Sequence, residues 1–318
     1  MRLLLCILLV LAVPLAHAQD DFQFKEDSTV GGKIVVTASA YSDSSCNNFS
    51  EGTSELSPGF IVSGDVHWIN SSGGAWENGA NWDTGFIPSP SDNAIIDAAG
   101  TYTVSLSTGQ IVQSLIVGNG VAGVQTLSIN LGPLTINAGS IVNSTGFLAA
   151  AGSIQGTGTL TNNGTVDWSL GTLSIPTVTN NTANFTLSGA NPKTLNGTTL
   201  TNSATGNMSW SNGALNFMNG GGINHAGGFL IAVDHIVGDA GSGGAFTNSG
   251  TFTKQGLSGS TTFNVPFNHT GGQVNVQNGF LTLSGGGSPT APIDISAGKK
   301  IMVSGAIPYT FGAGVSLT

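Results

Sequence analysis

Charged residues are scarce in this chain: only 7% of its 318 residues are Asp, Glu, Lys or Arg, against roughly 25% in ordinary domains. Arg2 is the sole arginine, and lysines are few and scattered, so no basic surface exists to meet a phosphate backbone and nucleic acid is excluded as a partner. Cysteine is almost absent as well. Cys6 and Cys46 are the only two, and Cys6 falls in a leader-like segment, which leaves one thiol and no internal disulfide. Beyond the first 18 residues no apolar run approaches the ~18 residues that span a bilayer. Sustained 3.6-residue periodicity is missing too, and the 48 glycines would weaken any helix. The chain is nonetheless 39% hydrophobic, with apolar residues that alternate, so composition does not predict disorder.

The residues that are present divide the chain. Residues 1–18 read as a signal peptide: Arg2 is the positive start, Leu3 to Leu15 the apolar stretch, and Ala16-His17-Ala18 the small-x-small cleavage site. This predicts an exported protein, extracellular or at the cell surface, whose mature part does not span a membrane. Residues 19–63 are acidic, rich in Ser and Gly, and read as a lead-in around one strand, Lys33 to Ala38. Residues 64–115 hold Trp68, Trp76 and Trp82 and are expected to cap a downstream repeat array, because such arrays need atypical terminal units.

Residues 116–318 are repetitive. Asn143, Asn162, Asn180, Asn202, Asn224, Asn248 and Asn268 recur in nearly the same short phrase at steps of 18 to 24 residues. A second phrase, Gly-x-Leu-x-apolar, begins at Gly171, Gly213 and Gly279. Each period therefore holds at least two short strands separated by Gly/Asn turns. A unit of this size cannot bury its apolar face alone, but stacked copies build a continuous core. The expected fold is all-β: a right-handed parallel β-helix, or solenoid, of about 20 residues per coil. The seven asparagines are expected to stack ~4.8 Å apart as a structural ladder, using Asn's tolerance of left-handed turns and its ability both to donate and to accept. The closing FGAGVSLT reads as another strand, so the chain is expected to be truncated at its C-terminus, with open strand edges that invite self-association.

These coils resemble the right-handed parallel β-helices of bacterial exported proteins, including autotransporter passengers and filamentous adhesins. The tryptophan segment, WINSSGGAWENGANWDTG followed by Pro and Asp, is similar to W…W…NW…P…D units of large bacterial surface proteins. The resemblance implies a surface or secreted location and an adhesive or structural role, with glycans or other surface proteins as partners. It carries over no catalytic residue.

Several side chains invite chemistry. His225, Asp234, His235 and Asp239 form the densest polar cluster, and His and Asp are metal ligands and acid/base groups. However, His225 shares its phrase position with His269, two coils away at ~9.6 Å, which is awkward for one zinc. No catalytic set, metal site or cofactor is predicted, and solvated loop positions are the competing reading for the cluster. Trp168 and Trp210 each stand three residues before a Gly-x-Leu phrase and are read as packing the wall or a covering loop, with an outward sugar-stacking face as the ligand-binding alternative. A carbohydrate-binding or carbohydrate-active β-helix is thus the second functional reading. Asp83, Asp92 and Asp97 match no calcium loop and are expected to form a solvated acidic edge. Thr-x-Thr pairs at Thr101/Thr103, Thr157/Thr159, Thr159/Thr161, Thr177/Thr179 and Thr251/Thr253 stand at different offsets from the nearest Asn, so no flat, ice-binding hydroxyl array is expected.

Overall fold

The computed structural model describes residues 22–30, 33–40, 64–295, 297 and 299–312. The leader 1–18, Cys46 and the last six residues lie outside them. Phe22–Val30 and Lys33–Ala40 pair as a two-stranded sheet of their own.

From Asp65 onward the chain winds as a parallel β-solenoid of about nine turns at ~22 residues per turn. Each full turn contributes one strand to each of three long sheets. In the turn starting at Leu160, sheet A takes Leu160–Asn162, sheet B takes Thr165–Trp168 and sheet C takes Gly171–Ser174. Sheets A and C have 10 strands and sheet B has 11, and within each sheet every strand pairs in parallel with the equivalent strand of the next turn. Sheets A and B begin at Asp65–His67 and Gly74–Ala75. Residues 64–115 therefore already contribute strands to the same sheets as residues 116–318.

The strands are short and obey a two-residue alternation. Leu134–Ile136, Thr165–Trp168 and Ser260–Phe263 alternate buried with half-buried positions, so one face of each strand lines a shared core. Upstream, that core is mostly aliphatic, with Val104, Leu127, Leu148 and Val166 in one inner column of sheet B. Downstream it becomes aromatic. Phe246 stacks on Phe267 at 5.3 Å and meets Phe252 and Phe263 edge-on. Such pairs add about 0.5–1.5 kcal/mol beyond area burial.

Glycines make the corners between sheets B and C. Gly171, Gly213 and Gly279, which open the Gly-x-Leu phrases, have φ of 94°, 71° and 65°, conformations open to Gly at no steric cost. The ladder asparagines do not play that role. Asn162, Asn180 and Asn202 end strands of sheet A, and the described non-glycine residues with positive φ are Asn219 and Ser242.

In the first described turn, Trp68, Trp76 and Trp82 are all buried. Trp82 packs edge-on against Trp68 at 5.1 Å and Trp76 at 4.8 Å, and its indole N–H donates to the Trp76 carbonyl. Two acids of the expected solvated edge cap backbone N–H groups, and the third meets a side chain. Asp92 is buried and accepts from the Gly64 and Ser89 N–H groups, Asp83 accepts from His67 N–H, and Asp97 lies 3.2 Å from His67 Nδ1.

Candidate functional site

The inner end of sheet A carries a polar column inside the core. Strand register aligns Val117, Val142, Asn162, Asn180, Asn202, His225, Asn248 and His269. This corrects the expected ladder of seven asparagines. Asn143 lies one residue past the column, and Asn224 and Asn268 lie one residue before it, beside Thr201 and Thr247 on the outer face. A one-residue slip sends a strand's side chain to the opposite face. Counting from the preceding inward apolar residue (Leu160, Val178, Leu200, Ile223, Phe246, Phe267) finds the column, whereas matching Asn to Asn does not.

Along the column the amides bond head to tail. Asn162 Nδ2 donates to Asn180 Oδ1 at 2.8 Å, and Asn180 Nδ2 to Asn202 Oδ1 at 2.7 Å. Asn202 Nδ2 then donates to His225 Nδ1 at 3.0 Å. That acceptor role leaves the proton of neutral His225 on Nε2, which donates to the Thr251 carbonyl at 3.2 Å. The run ends there, because the last donor goes to backbone. It restarts at Asn248, whose Nδ2 donates to His269 Nδ1 at 2.9 Å, and His269 Nε2 donates to the Pro292 carbonyl at 2.8 Å. Gly206 is glycine because a Cβ there would lie 2.3 Å from Asn202 Oδ1.

His225 is thus a buried column residue, not a solvated loop residue, and burial holds its pKa down at about 4 against the weaker opposing pull of the Thr251 carbonyl. A proton on Nδ1 would also face the donating amide of Asn202.

The rest of the cluster is dispersed. Asp234, between sheets B and C, binds the buried Lys254 Nζ at 2.6 Å and the Gly259 N–H at 2.7 Å. His235 lies beside Trp210 and meets Asn212 Oδ1 at 3.2 Å. Asp239 is exposed and accepts from the Gly241 and Gly243 N–H groups, which lower its pKa. Among the described residues no three His, Cys, Asp or Glu side chains converge as metal ligands.

Trp168 and Trp210 do not form an outward sugar-stacking face. Both are wholly buried, one on either side of Leu187 in an inner column of sheet B. The two-residue alternation that keeps Asp167 and Ser209 outside turns the tryptophans next to them inward. Lys193, unremarkable in the sequence, is also buried. Its ammonium is held by the carbonyls of Gly189, Asn191 and Asn212 at 3.1–3.2 Å, and burial lowers its pKa to about 8, with Asp167 pulling the other way.

Outside, sheet B presents a shallow groove of ≈540 Å³ whose outward residues include Asn184, Thr186, Asn207, Ser209, Leu230 and Thr253. Its lining is hydroxyls, amides and apolar side chains, Phe185, Met208 and Phe229 among them, with no ionised group. Such a surface can hydrogen-bond a neutral chain but offers no acid, base or nucleophile activated by a neighbour. No helix among the described residues is long and apolar enough to cross a membrane. Compared with protein-family models, curated proteins and solved structures, the chain shows no match.

Proposed function

We propose that this chain is an exported, secreted or cell-surface structural rod with an adhesive face, and that the sheet B groove is where it touches neutral glycans or other surface proteins. The observation that carries this reading is where the reactive side chains go. Five tryptophans, two histidines and two lysines are buried, most of them bound to protein partners, while the groove is lined by neutral hydrogen-bonding and apolar groups, none of them ionised. A leader-like first 18 residues support export. The mechanism is spread over length: a stiff ladder displays a repeating set of weak polar contacts, and several engaged together bind more tightly than any one. A glycan array probed with the full chain, beside a Thr186→Lys/Thr253→Lys variant that crowds the groove, tests it. Binding lost in the variant supports the reading. Binding that survives in the variant, or no binding by the wild type, removes the glycan role from this groove.

A further inference from the structure

Three successive strands of sheet A carry the phrase Thr-x-Thr-Asn: Thr159-Leu160-Thr161-Asn162, Thr177-Val178-Thr179-Asn180 and Thr199-Leu200-Thr201-Asn202. Register places Thr161, Thr179 and Thr201 in one outward column and Thr177 and Thr199 in the next, with Thr159 at the equivalent place before Leu160. This overturns the expectation of pairs without shared register. The pairs on other sheets obscured it, and the third member, Thr199/Thr201, completes it. The result is a two-by-three grid of threonines, about 4.8 Å between turns and about 6.6 Å along each strand.

These hydroxyls are unspent. None of the six side chains hydrogen-bonds to another described protein group. On the other two faces hydroxyls tie to each other instead, Ser209 to Thr186 on sheet B and Ser260 with Thr282 on sheet C. β-Branching restricts χ1, so threonine hydroxyls and methyls on a hydrogen-bonded strand hold their positions at little entropic cost.

The neighbourhood suits an uncharged, regular partner. Ile116 and Ile141 extend one column above the grid, and Asn224 and Thr247 extend it below. No outward residue of sheet A from Ser114 to Asn268 is charged or aromatic. A phosphate would find no cation there, and a sugar ring no aromatic to stack on. Ions are excluded from ice because they hold hydration water out of lattice register, so a charge-free face is what ice requires. The prism face of hexagonal ice also repeats its oxygens on a rectangular grid, its shorter edge near the turn spacing and its longer edge about a tenth above the along-strand spacing.

We infer that the outer face of sheet A binds ice, the threonine grid holding water in positions that join the crystal surface. The step is adsorption, with no bond made or broken in the protein. The test is to grow single ice crystals just below their melting point in solutions of the full chain, and to measure the gap between melting and growth temperatures. The wild type and the sheet B variant Thr186→Lys/Thr253→Lys should give faceted crystals and a measurable gap. Thr179→Lys/Thr201→Lys should give round discs and a gap at least fivefold smaller. Thr179→Val/Thr201→Val keeps the side-chain shape, guards against misfolding as the cause, and should also shrink the gap. Round discs from the wild type, or faceting that persists in both sheet A variants, would overturn the inference.

Discussion

The upstream and downstream turns share one backbone but solve the same position differently. At the inner end of sheet A, the upstream turns place Val117 and Val142, which pack as hydrocarbon. The downstream turns place Asn162, Asn180, Asn202, His225, Asn248 and His269 in the same column, each wholly or almost wholly buried. A polar group survives there only because the next turn supplies its partner at one strand spacing. The difference teaches that the solenoid repeat is a lattice of equivalent sites that accepts either chemistry, provided a whole run of turns agrees.

The comparison is broken most severely by interrupting the polar run. Asn180→Leu leaves Asn162 Nδ2 and Asn202 Oδ1 facing hydrocarbon and should cost roughly 3–5 kcal/mol. The same leucine at upstream Val142 overpacks only, at about 1–3 kcal/mol. Urea midpoints of the two variants measure the gap, and equal losses would mean that the column is not cooperative.

Acid probes the imidazole that ends the first run. The pKa of folded His225 lies at about 4, below its ordinary 6.5. The unfolded chain therefore takes up a proton first as pH falls. The contribution of neutral His225 is complete above pH 6.5 and is lost between 6.5 and 4, by roughly 3 kcal/mol. His225→Asn, which keeps an acceptor for Asn202, should flatten the dependence of stability on pH across that window.

Two buried lysines sharpen the contrast between paired and unpaired charge. Lys254→Met strands Asp234 with only the Gly259 N–H and should cost about 2–4 kcal/mol. Lys193 has carbonyls but no ion-paired carboxylate, so Lys193→Met should change stability by only about 1 kcal/mol in either direction. Wild-type stability should also gain as pH rises from about 8 to 10.5, where the folded lysine is neutral and the unfolded one still charged. Thermal melts of both variants across that range separate the cases.

The smallest effects belong to the asparagines beside the column. Asn224→Ala, exposed, should fall within about 0.5 kcal/mol. Asn143→Ala loses one bond, to the Gly118 carbonyl, at about 1 kcal/mol. Asn202→Ala, in the column, should exceed both, as chemical melts of the three would record.

The recurring Asn phrase and the alternation of apolar residues were sufficient to read a parallel solenoid, because stacking equivalent strands is how such short units bury their apolar sides. Asn162, Asn180, Asn202 and Asn248 were legible as ladder members, since each comes two residues after an inward apolar residue. His225 and His269 were not, because an Asn stands next to each and draws the alignment one residue off. Trp168 and Trp210 could be read facing either way, since chemistry alone does not distinguish a core aromatic from a binding one.

The amino-acid sequence by itself determined the period, the strand chemistry and the near absence of charge, all of which are local or compositional properties. Only the tertiary structure decided which face each side chain occupies and which turns it meets. Register sets those facts, and a shift of a single residue exchanges inside for outside. The same register buried the asparagine column and, on the reverse of the same strands, aligned six threonines into a grid.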